Sequence, residues 1–253
     1  FETLSEDDKA LYGLIYTSSM YRCSKRIDCD SLIDRSISHY QRKGDLDALA
    51  NAYYYKGCAC YVRRELKNSI QCFKQAEYLM DNCDNLFANK LFERLAYTNY
   101  RSGCSELALG YAKKFLSSSV ELADSELIVR SLATIASCYY QLGRKDSARY
   151  SINRCLPELQ TMDKSLHAGI LTNLAQLCYD AGDDRQAEFY ADSALHIDRQ
   201  PFAFYVKGQI ASRNGHSENA KKFWEKALDS DDDQLRILLY GKIAALHASQ
   251  NRF

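Results

Sequence analysis

Apolar residues return along this chain at intervals of three and four, and small residues return at a much longer interval. "ASCYYQLGRKDSARYSI" from Ala136 to Ile152 and "AQLCYDAGDDRQAEFYA" from Ala175 to Ala191 share Ala, Gly and Ala at offsets 0, 7 and 12, while few other letters agree. Aligned on offset 0, the pattern recurs at Gly57, Ala96 and Gly208, with a partial start at Ala244. The steps are about 33 to 40 residues, a period that signals stacked helical hairpins. Offset 7 holds Arg64, Gly103, Gly143, Gly182 and Gly215, and glycine there predicts a helix that stops in a left-handed residue. Offset 12 holds Ser69, Ala108, Ala148, Ala187 and Ala220, and offset 19 holds Ala76, Phe115, Cys155, Ala194 and Ala227. These lie on one face of a second helix, with Phe73, Ala112, Ile152, Ala191 and Trp224 between them. The first helix contributes Tyr53, Phe92, Leu132, Leu171 and Phe204 at offset −4. Each hairpin is therefore predicted to hide one apolar stripe per helix against its twin, and Gly57 and Gly208 mark the closest crossings.

Two prolines and eleven glycines in 253 residues leave long helices few breakers, and a hydrophobic content of 46% supplies a core, so an all-α chain is predicted. Lys+Arg and Asp+Glu both number 33, so the positive excess needed to neutralise nucleic-acid phosphates is missing and no nucleic-acid partner is predicted. No apolar run approaches the ~18 residues of a membrane helix, and no signal peptide opens the chain, so this fragment is predicted to make no membrane contact. The start at Phe1 and the uncapped end "HASQNRF" predict that both ends belong to a longer protein.

The ten cysteines, at positions 23, 29, 58, 60, 72, 83, 104, 138, 155 and 178, form no C-x-x-C pair, and the five histidines are scattered. Zinc ligation needs tighter spacing, so buried free thiols formed in a reducing compartment are predicted, and no metal. His39, His167, His196, His216 and His247 fall in different repeats, as surface or packing residues. "DSDDD", Asp229 to Asp233, lacks the glycine and glutamate of a calcium loop and reads as a solvated connector that places negative charge at the next helix start. No nucleophile elbow, zinc-protease motif, phosphate loop or dinucleotide fingerprint occurs, and the glycines are accounted for by helix stops. No catalytic residue and no cofactor are predicted, and the chain reads as a non-enzyme.

At the amino-terminal end, "LSEDDKALYGLIYTSSMYRC" predicts a helix capped by Ser5 with Asp8 three residues on, and "CDSLIDRSISHYQRKGD" a second helix starting at Asp30 or Ser31 and stopping at Gly44. Residues 1–44 thus form a divergent first pair, followed by an array over 45–253 divided at about 45–83, 84–123, 124–163, 164–199, 200–231 and a partial 232–253, as one continuous solenoid.

"AFYVKGQIASRNGHSENAKKFWEKALDSD", Ala203 to Asp231, with Phe204, Gly208, Gly215, Ala220, Trp224 and Ala227, resembles the tetratricopeptide repeat, and the resemblance extends from about Leu49 to the end. It departs at Lys56 and Lys207, where leucine is usual, at Arg64 in the glycine place, and in spacing. The extra residues fall in "MDNCDN" and "SSSVELADSE" and are predicted to lengthen the second helix by about one turn plus a connector. The resemblance implies a right-handed α-solenoid of about six antiparallel pairs. It also implies a protein-interaction scaffold that binds a partner peptide or helix on a concave face lined by the first helix of each pair. The opening residues and "LDALANAYYYKGCACY" are similar to tetratricopeptide proteins of Bacteroidetes-type bacteria, which implies a lipid anchor or signal before Phe1 and further repeats, a membrane helix, a coiled coil or a DNA-binding module after Phe253.

On the implied inner face, offset +4 carries Tyr61, Tyr100, Tyr140 and Tyr179, a tyrosine row that either contacts a ligand or half-packs against the adjoining helix. Tyr54, Tyr97 and Tyr205 are nearby candidates. Lys90, Arg94, Arg101 and Arg130 bring positive charge to the same face, suited to a peptide with acidic groups, with internal pairing to Glu93 and Asp124 as the competing fate. Lys90 and Arg94 stand where tetratricopeptide carboxylate clamps hold a peptide terminus, but Tyr55 replaces the expected asparagine, so the full clamp is absent. The alternative function is the sensory, regulatory or self-associating segment of a membrane-tethered signalling protein, acting as a homodimer.

Overall fold

A computed structural model describes residues 4–159, 162–230 and 232–250. Among them are thirteen α-helices and no strand: α1 (Glu6–Arg22), α2 (Ser31–Lys43), α3 (Leu46–Val62), α4 (Leu66–Tyr78), α5 (Asn85–Arg101), α6 (Ser105–Glu121), α7 (Ser125–Gln141), α8 (Lys145–Leu159), α9 (Lys164–Asp180), α10 (Asp184–Ile197), α11 (Pro201–Arg213), α12 (Ser217–Ala227) and α13 (Asp233–Gln250). Aspartates start many of them, because a short carboxylate accepts the backbone N–H groups that the first turn leaves unbonded. Asp45 accepts from Ala48 at 3.1 Å, Asp84 from Phe87 at 2.7 Å, Asp124 from Leu127 at 3.1 Å and Asp163 from Leu166 at 3.0 Å. Ser5 caps α1 by accepting from the Asp8 N–H at 3.1 Å, and its hydroxyl donates back to the Asp8 carboxylate at 2.7 Å. At the other ends, Gly44, Gly103, Gly143, Gly182 and Gly215 all take left-handed φ values of 72° to 82°. Arg64 takes the same conformation at φ 67° without being glycine.

The contacts divide the chain into two compact units, Phe1–Gly143 and Arg144–Phe253. The hairpin predicted for 124–163 straddles that boundary, with α7 in the first unit and α8 in the second. In the first unit, α1 packs on α2, α3 on α4 and α5 on α6, while α1, α3, α5 and α7 touch in succession and form a layer of first helices. In the second, α9 packs on α10, α11 on α12, and α13 on α12, with α9 and α11 also in contact.

Small residues decide how close the paired helices come. Ser69, Ala108, Ala148, Ala187 and Ala220 are completely buried, as are Ala76, Phe115, Cys155, Ala194 and Ala227. A β-carbon on Gly57 would lie 2.6 Å from the Phe73 ring, and one on Gly208 would overlap Trp224. Glycine therefore stands at offset 0 where the second helix sends in an aromatic ring; alanine stands there, at Ala96 and Ala175, where the ring is replaced by Ala112 or Ala191. Ser69 fastens the first crossing by donating to the Gly57 carbonyl at 2.8 Å.

One local expectation is corrected. "MDNCDN" does not extend α4, which stops at Tyr78; Met80–Asn82 forms a separate 3-10 turn. Only "SSSVE" continues its helix, taking α6 through Glu121. In the acidic connector Asp231 lies outside the described residues, while Asp232 accepts from the Leu235 N–H at 3.3 Å beside the start of α13.

Candidate functional site

One face of α5 gathers four of the predicted residues. Lys90, Arg94, Tyr97 and Arg101 are spaced by four, three and four residues, which places them in a single stripe along the helix. Lys90, Tyr97 and Arg101 are exposed, and the Arg94 side chain is 22% exposed. Phe87, Leu91 and Leu95 flank the stripe in the core, and Asn89, Ala96 and Asn99 are buried behind it, which fixes the stripe outward.

Arg94 has an unusual setting. Its guanidinium lies 5.9 Å from the ring centre of Tyr21 on α1, and its nearest carboxylate contact is Glu93 at 3.5 Å, a loose one. Its Nε is buried and has no hydrogen-bond partner among the described residues. Glu93 is shared, because Arg130 on α7 makes a closer ion pair with it and a second one with Glu126 at 3.7 Å. Arg130 thus has internal partners: Glu93, as expected from sequence, and Glu126; Asp124, the other carboxylate expected, accepts from Leu127 as the cap of α7. Burial beside this group pushes the Tyr21 phenol up to about 12 and the Cys58 thiol up to about 12, so both stay neutral under Arg94.

Towards the carboxyl end of the stripe, Tyr97 packs on Tyr61 with ring centres 5.7 Å apart. Burial and the neighbouring Tyr97 push the Tyr61 phenol up to about 12. Tyr61, Val62, Arg64, Leu66 and Arg101 line a recess of about 260 Å³. Towards the amino end, Lys90 lines a second recess of about 290 Å³ with Asp47, Asn51, Tyr54, Tyr55, Cys83, Asp84, Leu86 and Phe87. The surface between offers charge-assisted donors, phenol edges and shallow cavities.

The other candidates divide. Tyr100 and Tyr140 are half-buried, Tyr100 against the cluster that contains Ala96, Ala108 and Leu109. In the second unit Tyr179 is half-buried under Arg213, whose guanidinium stacks 3.6 Å from the ring centre while donating to the Tyr179 carbonyl at 3.0 Å and to Asp184 at 2.6 Å. Two placements need correction. Tyr54 and Tyr205, expected on the groove wall, are each only 6% exposed. The Tyr54 ring packs on Phe73 and Phe87, with centres 5.8 and 5.7 Å away, and only its rim reaches the recess beside Lys90; the Tyr205 carbonyl accepts from Trp224 Nε1 at 3.3 Å.

Sequence reasoning missed Tyr21, Tyr55 and Arg213. Tyr55 accepts from Arg22 at 3.3 Å and stands in the recess beside Lys90. Arg213 follows Tyr179 by about one repeat, a spacing that could have flagged it; Tyr21 lies in the divergent first pair, where no repeat register reaches.

The tetratricopeptide repeat family profile matches residues 203–234. No curated protein matches the chain significantly. Among solved structures, the apo quorum sensor NprR of B. thuringiensis is similar at a TM-score of 0.70 and 16% identity, covering 99% of this chain and 72% of its own. NprR in complex with its cognate peptide NprX is similar at 0.65 and 17% identity, over 100% of this chain and 74% of that one. A thermophilic tetratricopeptide protein of Thermus thermophilus is similar at 0.54 and 15% identity, over 76% of this chain and 97% of that one. The fold is all-α, of the kind shared by tetratricopeptide-like helical-repeat proteins.

Proposed function

We propose that the chain is a non-enzymatic protein-interaction scaffold whose inner-layer face, centred on α5, binds an extended peptide of a partner protein. The observation that carries this reading is Arg94: a guanidinium held half-buried over Tyr21, with Nε lacking an acceptor, between the exposed Lys90 and Tyr97. A partly shielded guanidinium with spare donors recognises a carboxylate more strongly than a solvated one does. The partner class is therefore a peptide with an acidic group opposite Lys90 and Arg94 and an apolar or aromatic residue against Tyr61 and Tyr97. Rigid helices present these groups with little reorganisation on binding. The peptide complex of NprR, a fold relative, supports the mode of binding and not the identity of the peptide. Tyr100 and Tyr140 extend the proposal along the repeats of the first unit.

Peptide display against the immobilised chain, with counter-selection on an Arg94→Ala, Tyr97→Ala, Arg101→Ala triple variant, tests it. Selected peptides should be acidic, should lose at least about tenfold in affinity on the variant, equivalent to about 1.4 kcal/mol, and should weaken with salt as screening shortens. Peptides that bind both forms equally would remove α5 from the site.

Self-association is a second reading, favoured by the exposed Leu11, Tyr12 and Ile15 of α1 and by Ile237, Leu238 and Tyr240 of α13. Light scattering on the chain, with Leu11→Lys and Ile237→Lys variants, tests it: a dimer abolished by either substitution supports it, and a wild-type monomer at high concentration refutes it.

A further inference from the structure

The recess at the carboxyl end of the α5 stripe is lined by two arginines whose place an acid opposite Arg94 does not explain. Arg64 stands in the turn after α3, Arg101 is the last residue of α5, and Tyr61, Val62 and Leu66 complete the lining of about 260 Å³. Tyr97 lies four residues before Arg101, and its packing on Tyr61 holds the end of α5 against the end of α3. The turn that carries Arg64 is fixed by its own backbone, since the Arg64 N–H donates to the Tyr61 carbonyl at 2.9 Å and the Glu65 N–H to the Cys60 carbonyl at 2.9 Å. Both arginines are exposed.

The carboxylates of this corner are held by a third arginine. Arg63 pairs with Asp30 at 2.8 Å and with Glu65 at 2.9 Å, while Arg64 and Arg101 form no ion pair with a described carboxylate. Glu65 is also the N-cap of α4, and with its carboxylate on Arg63 it gives that helix no side-chain hydrogen bond. The start of α4 is therefore uncapped where Leu66 enters the recess, and its positive end adds to the two guanidiniums. The Arg64 charge also stands in a strained place. Its φ of 67° is the conformation that Gly103, Gly143, Gly182 and Gly215 supply in the sister turns. Glycine would make the turn more easily, so what arginine adds at this position is its side chain.

We propose that this recess binds a phosphate monoester on an apolar stem, carried by the partner peptide as a phosphorylated tyrosine. At neutral pH such a group bears about two negative charges and three strong acceptor oxygens, which matches two guanidinium forks. A carboxylate brings one charge and fills one fork. Tyr61, Val62 and Leu66 give the aryl stem an apolar wall. Phosphorylation of the partner thereby adds an anchor at Arg64 and Arg101, apart from the acid at Arg94. The carrier rests on the peptide-binding reading; the binding of the phosphate group does not.

The test titrates the full chain with phenyl phosphate at constant pH and ionic strength, read by amide chemical shifts of the isotope-labelled protein. Saturable binding is expected, with the shifted amides in the turn after α3 and at the end of α5. Affinity should fall at least about tenfold in Arg64→Gly and in Arg101→Ala, the loss of one charge-assisted contact. Benzoate, with one charge, and inorganic phosphate, without the stem, should each bind more weakly than phenyl phosphate. Arg64→Gly is the decisive variant, because glycine takes the same backbone conformation without strain and keeps the turn. No saturation, unchanged affinity in Arg64→Gly, or benzoate or inorganic phosphate binding as tightly as phenyl phosphate overturns the proposal. Peptides that depend on Arg94 while phenyl phosphate fails to bind would remove this pocket and keep the groove. Phenyl phosphate bound at Arg64 with no Arg94-dependent peptide would keep the pocket and remove the peptide carrier.

Discussion

Arg64 is the left-handed residue of its turn, in a place that the sister turns after α5, α7, α9 and α11 give to Gly103, Gly143, Gly182 and Gly215. An L side chain there crowds its own β-carbon against the backbone, a cost of about 1 kcal/mol or more. Arg64→Gly is expected to raise stability by about 1 kcal/mol, seen as a Tm increase of about 2 to 4 °C in thermal circular dichroism. The glycine–aromatic crossings make a second prediction. Trp224→Ala should cost about 3 to 5 kcal/mol, and Gly208→Leu about 1 to 3 kcal/mol or more by overpacking against the indole. Combined, they should cost less than their sum in denaturant titration, since the leucine would occupy space the indole had left. These positions were legible in the sequence because a small residue every repeat can be counted. The fate of Tyr54 and Tyr205 was not. Both sit three residues before a glycine crossing, in repeats whose second helix supplies Phe73 or Trp224, and there the tyrosine joins the aromatic core. A phenol suits either a groove or a core, so its letter alone does not choose.

At the scale of the helix, charge placement follows the capping pattern. Asp183 accepts from the Gln186 N–H at 3.3 Å and pairs with Arg149 of α8 at 2.5 Å. The Arg149 guanidinium holds the Asp183 carboxyl below its ordinary value of 3.8. A carboxylate depressed in the folded state stabilises above its unfolded value and loses that stabilisation as pH falls through the folded one. Acid unfolding below about pH 4 should therefore be shallower in Arg149→Ala, whose neutral-pH stability is already reduced; parallel acid titrations of the two chains by circular dichroism check this. The starts of α1, α3, α5, α7, α9 and α10 were legible from Asp or Ser and the stops of α2, α5, α7, α9 and α11 from glycine, whereas α4, α6, α11 and α12 begin at Glu65, Cys104, Gln200 and His216. The pairing of Arg130 with Glu126 was also within reach, because the two are four residues apart on one helix. The sequence pointed to Glu93, which Arg130 does pair with, and to Asp124, which caps α7 instead. The stripe of Lys90, Arg94, Tyr97 and Arg101 was found residue by residue. That Arg94 would lie under Tyr21 depended on how α1 packs on α3, which the divergent opening pair did not reveal.

For the molecule as a whole, composition and period were enough for an all-α repeat fold: few breakers, a recurring small residue, and charges balanced at 33 each. The division after Gly143 was not legible, since it falls inside a repeat whose letters match its neighbours. One feature of the packing reaches further than any site. Within each unit, the main contacts of every helix are with the next helix or the next but one. Cohesion is therefore shared among neighbours, and a segment at an edge of the stack is held from one side while an interior one is held from two. Deuterium uptake within the first unit should reflect this: amides of α1, at its edge, should exchange faster than those of α5, which α3, α4, α6 and α7 hold from both sides.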